Sequence, residues 1–157
     1  MIQRIQTIYL FLAAILMAMT LLMPLATFAY DDHESVLSAF GITAATGDYT
    51  APIFYCLTAL LILPTLLPIV IIFLYKKRLL QIRLCVSEII LLLGSLAFIG
   101  VFCWRFYDRI ASLAKTEVLF SLGWAAFMPI IAIILVYLAI RGIAKDEALV
   151  RSLDRIR

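Results

Sequence analysis

The sequence predicts an all-α fold: a bundle of four transmembrane helices followed by an amphipathic C-terminal cytoplasmic helix. The first observation is composition, because 66% of the 157 residues are hydrophobic, whereas a soluble domain is about half apolar. The second is that the apolar residues gather in four runs, 5–29, 52–75, 84–104 and 118–140. A helix needs about 20 apolar residues to cross the hydrocarbon core, and each run reaches that length. We expect one membrane domain with these four spans and a tail over 141–157.

The first span is predicted to stay in the protein. Cleavage of a signal peptide before Tyr30 is an alternative, since "PLATFA" has small residues where a peptidase would require them. The apolar stretch is longer than the core of a signal peptide, however, and this favours a retained helix.

The segment over residues 30–51 is the longest predicted loop. Within it "HESVLSAFG" suggests a short helix that stops at Gly41. The acidic stretch "DDHE" precedes this helix, and adjacent side chains cannot all face one ion, so we expect a solvated loop and no metal site. Tyr30, Tyr49, Trp104 and Tyr107 are expected at the outer membrane interface.

The loop "KKRLLQIR" over residues 76–83 predicts the orientation of the protein. If both termini lie on the side of this loop, ten of the 13 basic residues lie on that side and three on the other. Loops rich in Lys and Arg stay in the cytoplasm. We therefore expect both termini to be cytoplasmic and the loop to contact anionic lipid headgroups.

The second and third spans contain the unusual intramembrane residues. Pro64 and Pro68 each remove a backbone donor, which indicates a bend, either static or hinge-like, and Pro129 in the fourth span indicates a bend in the same way. Glu88 is the one ionisable residue in the four runs and so a candidate ion site. Because it lies near the cytoplasmic end of its span, we expect an ion pair instead, with Arg83, Arg4 or Arg141.

Three cysteines are distributed over the same two spans. Cys85 is expected to be reduced at the cytoplasmic end. Cys56 and Cys103 lie at similar depths near the outer end, and the sequence leaves open whether they pair. Free thiols are the expectation, because cysteine is a common apolar filler in buried helices.

The tail has the pattern of an amphipathic helix that either continues the fourth span or turns at Gly142 to lie along the membrane. Its apolar residues share one face: Ile143, Leu149, Val150, Leu153 and Ile156. Such a helix suits the lipid surface or a protein groove. Arg151, Leu153 and Arg155 are the candidate residues for binding a partner.

Three stretches carry a resemblance to a known family. "MIQRIQTIYL", "KKRLLQIRLC" and "KDEALVRSLDRIR" resemble small four-span inner-membrane proteins of Bacteroidota, a family catalogued as a domain of unknown function. The resemblance covers the whole chain and implies a bacterial inner membrane and a single four-helix domain. It supplies no catalytic residues.

The sequence contains none of the phosphate-binding, metalloprotease, nucleophile-elbow or Cys-x-x-Cys motifs. We therefore expect no enzyme, no cofactor and no nucleic-acid partner. The leading prediction is an accessory subunit of a larger membrane assembly, bound through the tail and the 76–83 loop. The alternative is a small transporter or ion-conducting protein that uses Glu88 and the Pro-containing second span. A lipid- or quinone-binding protein is a third, weaker prediction.

Overall fold

The structure is a computed structural model that describes residues 2–31, 33–44, 47–49, 52–74, 77–113 and 117–154, with the side chains of 2–4, 44, 47–49, 52, 53, 113 and 150–154 excepted. It has four long helices: α1 (Ile2–Leu22), α2 (Pro52–Phe73), α3 (Arg78–Leu113) and α4 (Met128–Asp154). Each is long and apolar enough to cross a membrane. The predicted four-helix membrane fold is confirmed.

The helices pack in a ring, because α1 and α3 each contact both α2 and α4. Each helix buries one seam whose residues are spaced alternately three and four apart, the spacing of coiled-coil-like packing. The seams are Gln6, Leu10, Ala13, Met17 and Thr20 in α1; Phe54, Leu57, Leu61, Pro64, Pro68 and Ile71 in α2; Gln81, Cys85, Glu88, Leu92, Ser95, Ile99 and Phe102 in α3; and Pro129, Ala132, Val136, Ala139 and Ile143 in α4.

The two ends of the bundle differ. The start of α1 meets the last third of α4 at one end, where Gln6 is hydrogen-bonded to Asp146; we call this the termini end. The opposite end is covered by a five-stranded antiparallel sheet, and we call it the sheet end.

The sheet was not predicted. Its strands are β1 (Ala26–Tyr30), β2 (His33–Leu37), β3 (Ile42–Ala44), β4 (Gly47–Tyr49) and β5 (Leu119–Leu122), in the order β4-β3-β2-β1-β5. The predicted short helix in "HESVLSAFG" is therefore wrong, because its first five residues are β2. Two predicted spans were also wrong at the sheet end, since the first ran into β1 and the fourth began with β5.

Prolines explain where these two helices stop and start. Pro24 follows the end of α1, and the chain then enters β1, where Leu25 N–H donates to the carbonyl of Leu37 at 2.8 Å. Pro129 was expected inside the fourth span as a bend. It lies instead at the second residue of α4, in the first turn, where a missing N–H costs nothing.

The third and fourth helices run further than the predicted spans. α3 begins at Arg78, inside the predicted loop, and its 36 residues extend past the predicted end at residue 104. At 1.5 Å per residue this length is about 54 Å, well beyond the hydrocarbon thickness. α4 continues without a break through Gly142 to Asp154, which is the first of the two alternatives considered for the tail.

Candidate functional site

Glu88 lies in the seam of α3 and is fully buried. Neither of its carboxylate oxygens has a hydrogen-bond partner among the described residues. Buried carboxylates are normally paired or hydrogen-bonded, because removing such a group from water without a partner is costly. Glu88 is therefore the one polar side chain of the described bundle that packing does not explain.

The expected ion pair of Glu88 is not found with Arg83 or Arg141. Both arginines are exposed, and the helical rotation explains why. Arg83 is five residues before Glu88, which at 100° per residue places it about 140° around α3 from the seam. Arg141 stands between Ala139 and Ile143 in sequence but outside the seam of α4. The side chain of Arg4, the third expected partner, lies outside the described residues.

The helix registers place Glu88 beside the Pro-containing stretch of α2. Gln81 Nε2 donates to the carbonyl of Ile71 at 3.3 Å, which aligns these two positions. Glu88 is seven residues beyond Gln81, and Pro64 is seven residues before Ile71, so both lie about 10.5 Å deeper in the bundle.

The two buried prolines of α2 change the backbone hydrogen bonding at the depth of Glu88. Pro64 and Pro68 have no N–H group, so the carbonyls four residues earlier, those of Leu60 and Pro64, have no helical donor. The buried carboxyl group thus lies at the depth of a helix segment in which two carbonyl oxygens lack the usual donor four residues later. Backbone carbonyls without a helical donor coordinate ions in transporters with interrupted helices.

Other buried polar side chains of the bundle are satisfied. Thr20 Oγ1 donates to the carbonyl of Leu16 at 3.0 Å and lies 3.3 Å from that of Ala125. Ser95 Oγ donates to the carbonyl of Leu92 at 2.8 Å. Both bonds are of the kind that Ser and Thr make within helices. Unlike the Glu88 carboxyl group, these hydroxyl groups have acceptors within the protein and need no hydrogen-bond partner from solvent or a ligand.

A polar layer closes the termini end, and we use this term for Gln6, Arg78, Gln81 and Asp146. Gln6 Nε2 donates to Asp146 Oδ2 at 2.8 Å, and Arg78 Nη1 donates to the carbonyl of Asp146 at 3.2 Å. With the bond from Gln81 to α2, the layer connects all four helices. Gln6 and Asp146, from opposite ends of the sequence, are thus bonded to each other.

Close approach of α1 and α4 depends on Gly142. A Cβ atom at this position would lie 2.9 Å from Gln6 Cγ, closer than carbon atoms normally pack. The absence of a side chain lets the Gln6 amide reach Asp146, one turn further along α4. This contact was missed by sequence reasoning, although the seven-residue spacing of Gln81, Glu88 and Ser95 was a readable sign of a polar seam.

The candidate partner-binding residues are only partly described. Arg151 and Leu153 lie in the last turn of α4, with their side chains outside the described residues, and Arg155 lies beyond the described range. Ile143, the first residue of the predicted apolar stripe, is buried in the bundle. The stripe therefore serves internal packing at its start.

The sheet end contains the aromatic and acidic residues. The side chains of Phe54, Phe98, Phe102 and Phe106 form a cluster with ring centroids 5.2–5.9 Å apart. His33 and Glu34 are exposed on β2, and Asp31 occupies the turn before it with a positive φ of 46°. Cys56, Cys85 and Cys103 are free thiols.

The sequence profile of one family matches residues 2–156, and its description is "Domain of unknown function (DUF4293)". The match covers nearly the whole chain, so the chain belongs to this family, as the terminal motifs indicated. No protein with curated annotation matches the chain.

Proposed function

We propose that this member of the DUF4293 family is a small transporter or ion-conducting protein, with Glu88 as the group that binds the ion. The observation that carries the proposal is the buried carboxyl group without a partner. Ionisable residues inside membrane spans are costly and mark ion or proton pathways. Two of the three ion pairs that the sequence favoured, those with Arg83 and Arg141, are not formed, and the side chain of the third candidate, Arg4, lies outside the described residues.

The surroundings of Glu88 support an ion of single charge, either a proton or a monovalent cation. One carboxylate balances one positive charge, and the carbonyls of Leu60 and Pro64, which lack the usual donor four residues later, are candidate neutral oxygen ligands at the same depth. A divalent cation requires six or more oxygens, usually from several carboxylates. No second acidic side chain lies in the seams of the described bundle.

We further propose a bacterial inner membrane with both termini in the cytoplasm. The support is the distribution of Lys and Arg, with ten of the 13 on the termini side. Reporter fusions after Arg157 and within 76–83 are expected to be cytoplasmic, and a fusion near Thr46 external. An external C-terminal reporter would contradict this orientation.

The test of ion binding uses the purified protein in lipid vesicles. Proton flux is followed with a trapped pH-sensitive dye, and Na⁺ or K⁺ flux with ion-sensitive dyes. We expect flux above that of protein-free vesicles, and Glu88→Gln is expected to return it to the protein-free rate. The matched control is Ser95→Ala, seven residues along the same seam, which is expected to conduct like the original protein.

Each result of the vesicle experiment has a defined meaning. Loss of flux in Glu88→Gln alone supports the proposal, and the dye that responds identifies the ion. Equal flux in Glu88→Gln and the original protein contradicts it. An original protein that conducts no ion tested contradicts it as well.

The second candidate is the accessory subunit that the sequence favours. The specific observation in its support is the bond from Arg78 to the carbonyl of Asp146, which joins the 76–83 loop to the extension of α4. Together they form one basic surface on the termini side, suited to anionic lipid headgroups and to a protein partner. In this role the chain acts by binding, with no catalysis of its own.

Charge reversal tests the accessory role. Arg151→Glu with Arg155→Glu is expected to remove a co-purifying membrane protein in mild detergent, as is Leu153→Glu. The control is Arg105→Glu with Arg109→Glu, a pair of the same spacing at the sheet end of α3, which is expected to leave the co-purifying proteins unchanged. An unchanged set in the tail variants contradicts the role.

A further inference from the structure

Polar residues are distributed unequally on the two sides of Glu88. Toward the termini end, the seam of α3 contains Cys85 and then Gln81 of the polar layer. Toward the sheet end, the next seam residue is Leu92, which is fully buried together with Met17 and Leu61 on the facing helices. An ion leaving Glu88 meets one buried apolar layer in either direction. Beyond it lie hydroxyl groups bonded within their own helices toward the sheet end, and amide and charged groups toward the termini end.

Asp146 lies at the outer limit of the more polar direction. The bond from Arg78 to Asp146 aligns α3 with α4 at this point. Glu88 is ten residues beyond Arg78, so the two carboxyl groups are separated by about 15 Å along the bundle axis. One layer of seam residues stands between the polar layer and Glu88: Leu10, Pro68, Cys85 and Ala139. Two of these four are small, and a third is proline.

A side-chain hydrogen bond joins α1 to α4 at this end of the bundle. Gln6 donates to Asp146, and Gly142 leaves the space that Gln6 occupies. A neutral amide that covers a carboxylate can be displaced at the cost of one hydrogen bond. The contact is therefore reversible, unlike the packing of Leu92 with its neighbours.

We propose that Asp146 is the access site through which an ion reaches Glu88 from the termini end, and that the Gln6–Asp146 hydrogen bond is the gate of this route. The inference rests on the proposed role of Glu88 and adds a second ion-handling residue to it. With the gate closed, Gln6 is hydrogen-bonded to Asp146, and water does not reach Cys85 from the termini end. With the gate open, Asp146 receives the ion and the route along α3 is exposed to water.

Cys85 is a native reporter of the gate, because it lies between the polar layer and Glu88. The probe is a water-soluble cationic methanethiosulfonate. Its reaction with a thiol forms a mixed disulfide, releases methanesulfinate and takes place only where water and the probe have access. The rate at Cys85 is measured by mass spectrometry of peptides from the purified full-length protein in mild detergent. Cys103, buried at the sheet end, is the internal reference.

Gln6→Ala is expected to accelerate labelling of Cys85 about threefold, the effect of losing one interhelical hydrogen bond on an opening equilibrium, and to leave Cys103 unchanged. The matched control is Thr20→Val. It removes a hydroxyl that links α1 to the carbonyl of Ala125 at the opposite end, and it is expected to leave Cys85 unchanged. Equal acceleration at Cys85 and Cys103, or no acceleration in Gln6→Ala, would overturn the gate.

The Asp146→Asn variant tests the access site independently of the gate. The Asn carbonyl still accepts the bond from Gln6, so labelling of Cys85 is expected to stay unchanged while ion flux in vesicles falls. Normal flux in Asp146→Asn, with flux abolished in Glu88→Gln, would overturn the access site and leave the proposed function intact. Normal flux in Glu88→Gln would overturn the proposed function itself.

Discussion

The termini half and the sheet half of the bundle are held together by different means. At the sheet end, the phenylalanine cluster and the inner face of the sheet fill the space between the helices. At the termini end, hydrogen bonds of Gln6, Arg78 and Gln81 join the helices. The difference indicates that the sheet half provides stability, whereas the termini half keeps polar groups inside the membrane domain at some cost to stability.

Physical chemistry gives the reason for this division. Between helices in lipid, close packing and hydrogen bonds drive association, because lipid tails are as apolar as the helices. A dense aromatic layer therefore stabilises without polar groups. A buried carboxyl group without a partner lowers the stability of the folded protein, and proteins contain such a group where function requires it.

The largest effect on stability is expected at Phe54, which is almost fully buried. Its ring centroid lies 5.5 Å from that of Phe102 and 5.6 Å from that of Phe106. Phe54→Ala is expected to lower the free energy of unfolding by about 3 kcal/mol, because it leaves a cavity. The measurement is denaturant unfolding in detergent. Phe11→Ala, on the lipid-facing side of α1, is the control and is expected to change stability little. Equal losses in both variants would contradict the assignment of stability to the sheet half.

An opposite effect is expected at Glu88. Glu88→Met replaces a buried group without a partner by an apolar side chain of similar length, and is expected to raise the free energy of unfolding by about 1–3 kcal/mol. Leu92→Met, one turn further along the same seam, is the control and is expected to change stability by less than about 1.5 kcal/mol. A less stable Glu88→Met protein would show that the carboxyl group has a structural partner.

The number and type of the helices could be predicted because apolar runs of membrane length have few other interpretations. The sheet could not, because β1 and β5 lie inside apolar runs and have the same hydrophobicity as a span. Only Pro24 and Pro129 indicated the helix limits, and Pro129 was interpreted as a bend. β2 was missed because "HESVL" has three polar residues followed by two apolar ones and so lacks the alternation that indicates a strand.

Glu88 could be predicted as the candidate residue, but the groups that surround it could not. Glu88 is conspicuous in any reading of the sequence. Whether Arg83 reaches it depends on the rotation of α3, which composition does not fix. Gln81 was assigned to the 76–83 loop because the predicted third span began after it, and Gln6 lay in the first turn of the predicted first span with no sign of its partner on α4. The polar layer that they form was therefore not predicted.

The smallest expected effects compare single hydrogen bonds at the two ends. Gln6→Ala and Thr20→Val are each expected to lower the free energy of unfolding by about 0.6 kcal/mol, the typical worth of an interhelical hydrogen bond in membranes. The two variants are thus expected to differ in the rate of Cys85 labelling but to have the same free energy of unfolding. A much larger loss in Gln6→Ala would show that the contact is a main structural bond, and would argue against a gate.

Infrared difference spectroscopy can show whether the Glu88 carboxyl group exchanges an ion. Spectra of the purified protein are compared across the pH range in which it stays folded, and with and without Na⁺ or K⁺. We expect a carboxyl stretching band that responds to one of these changes, is absent in Glu88→Gln and is present in Ser95→Ala. A difference spectrum that is identical in Glu88→Gln and the original protein would show that Glu88 exchanges no ion.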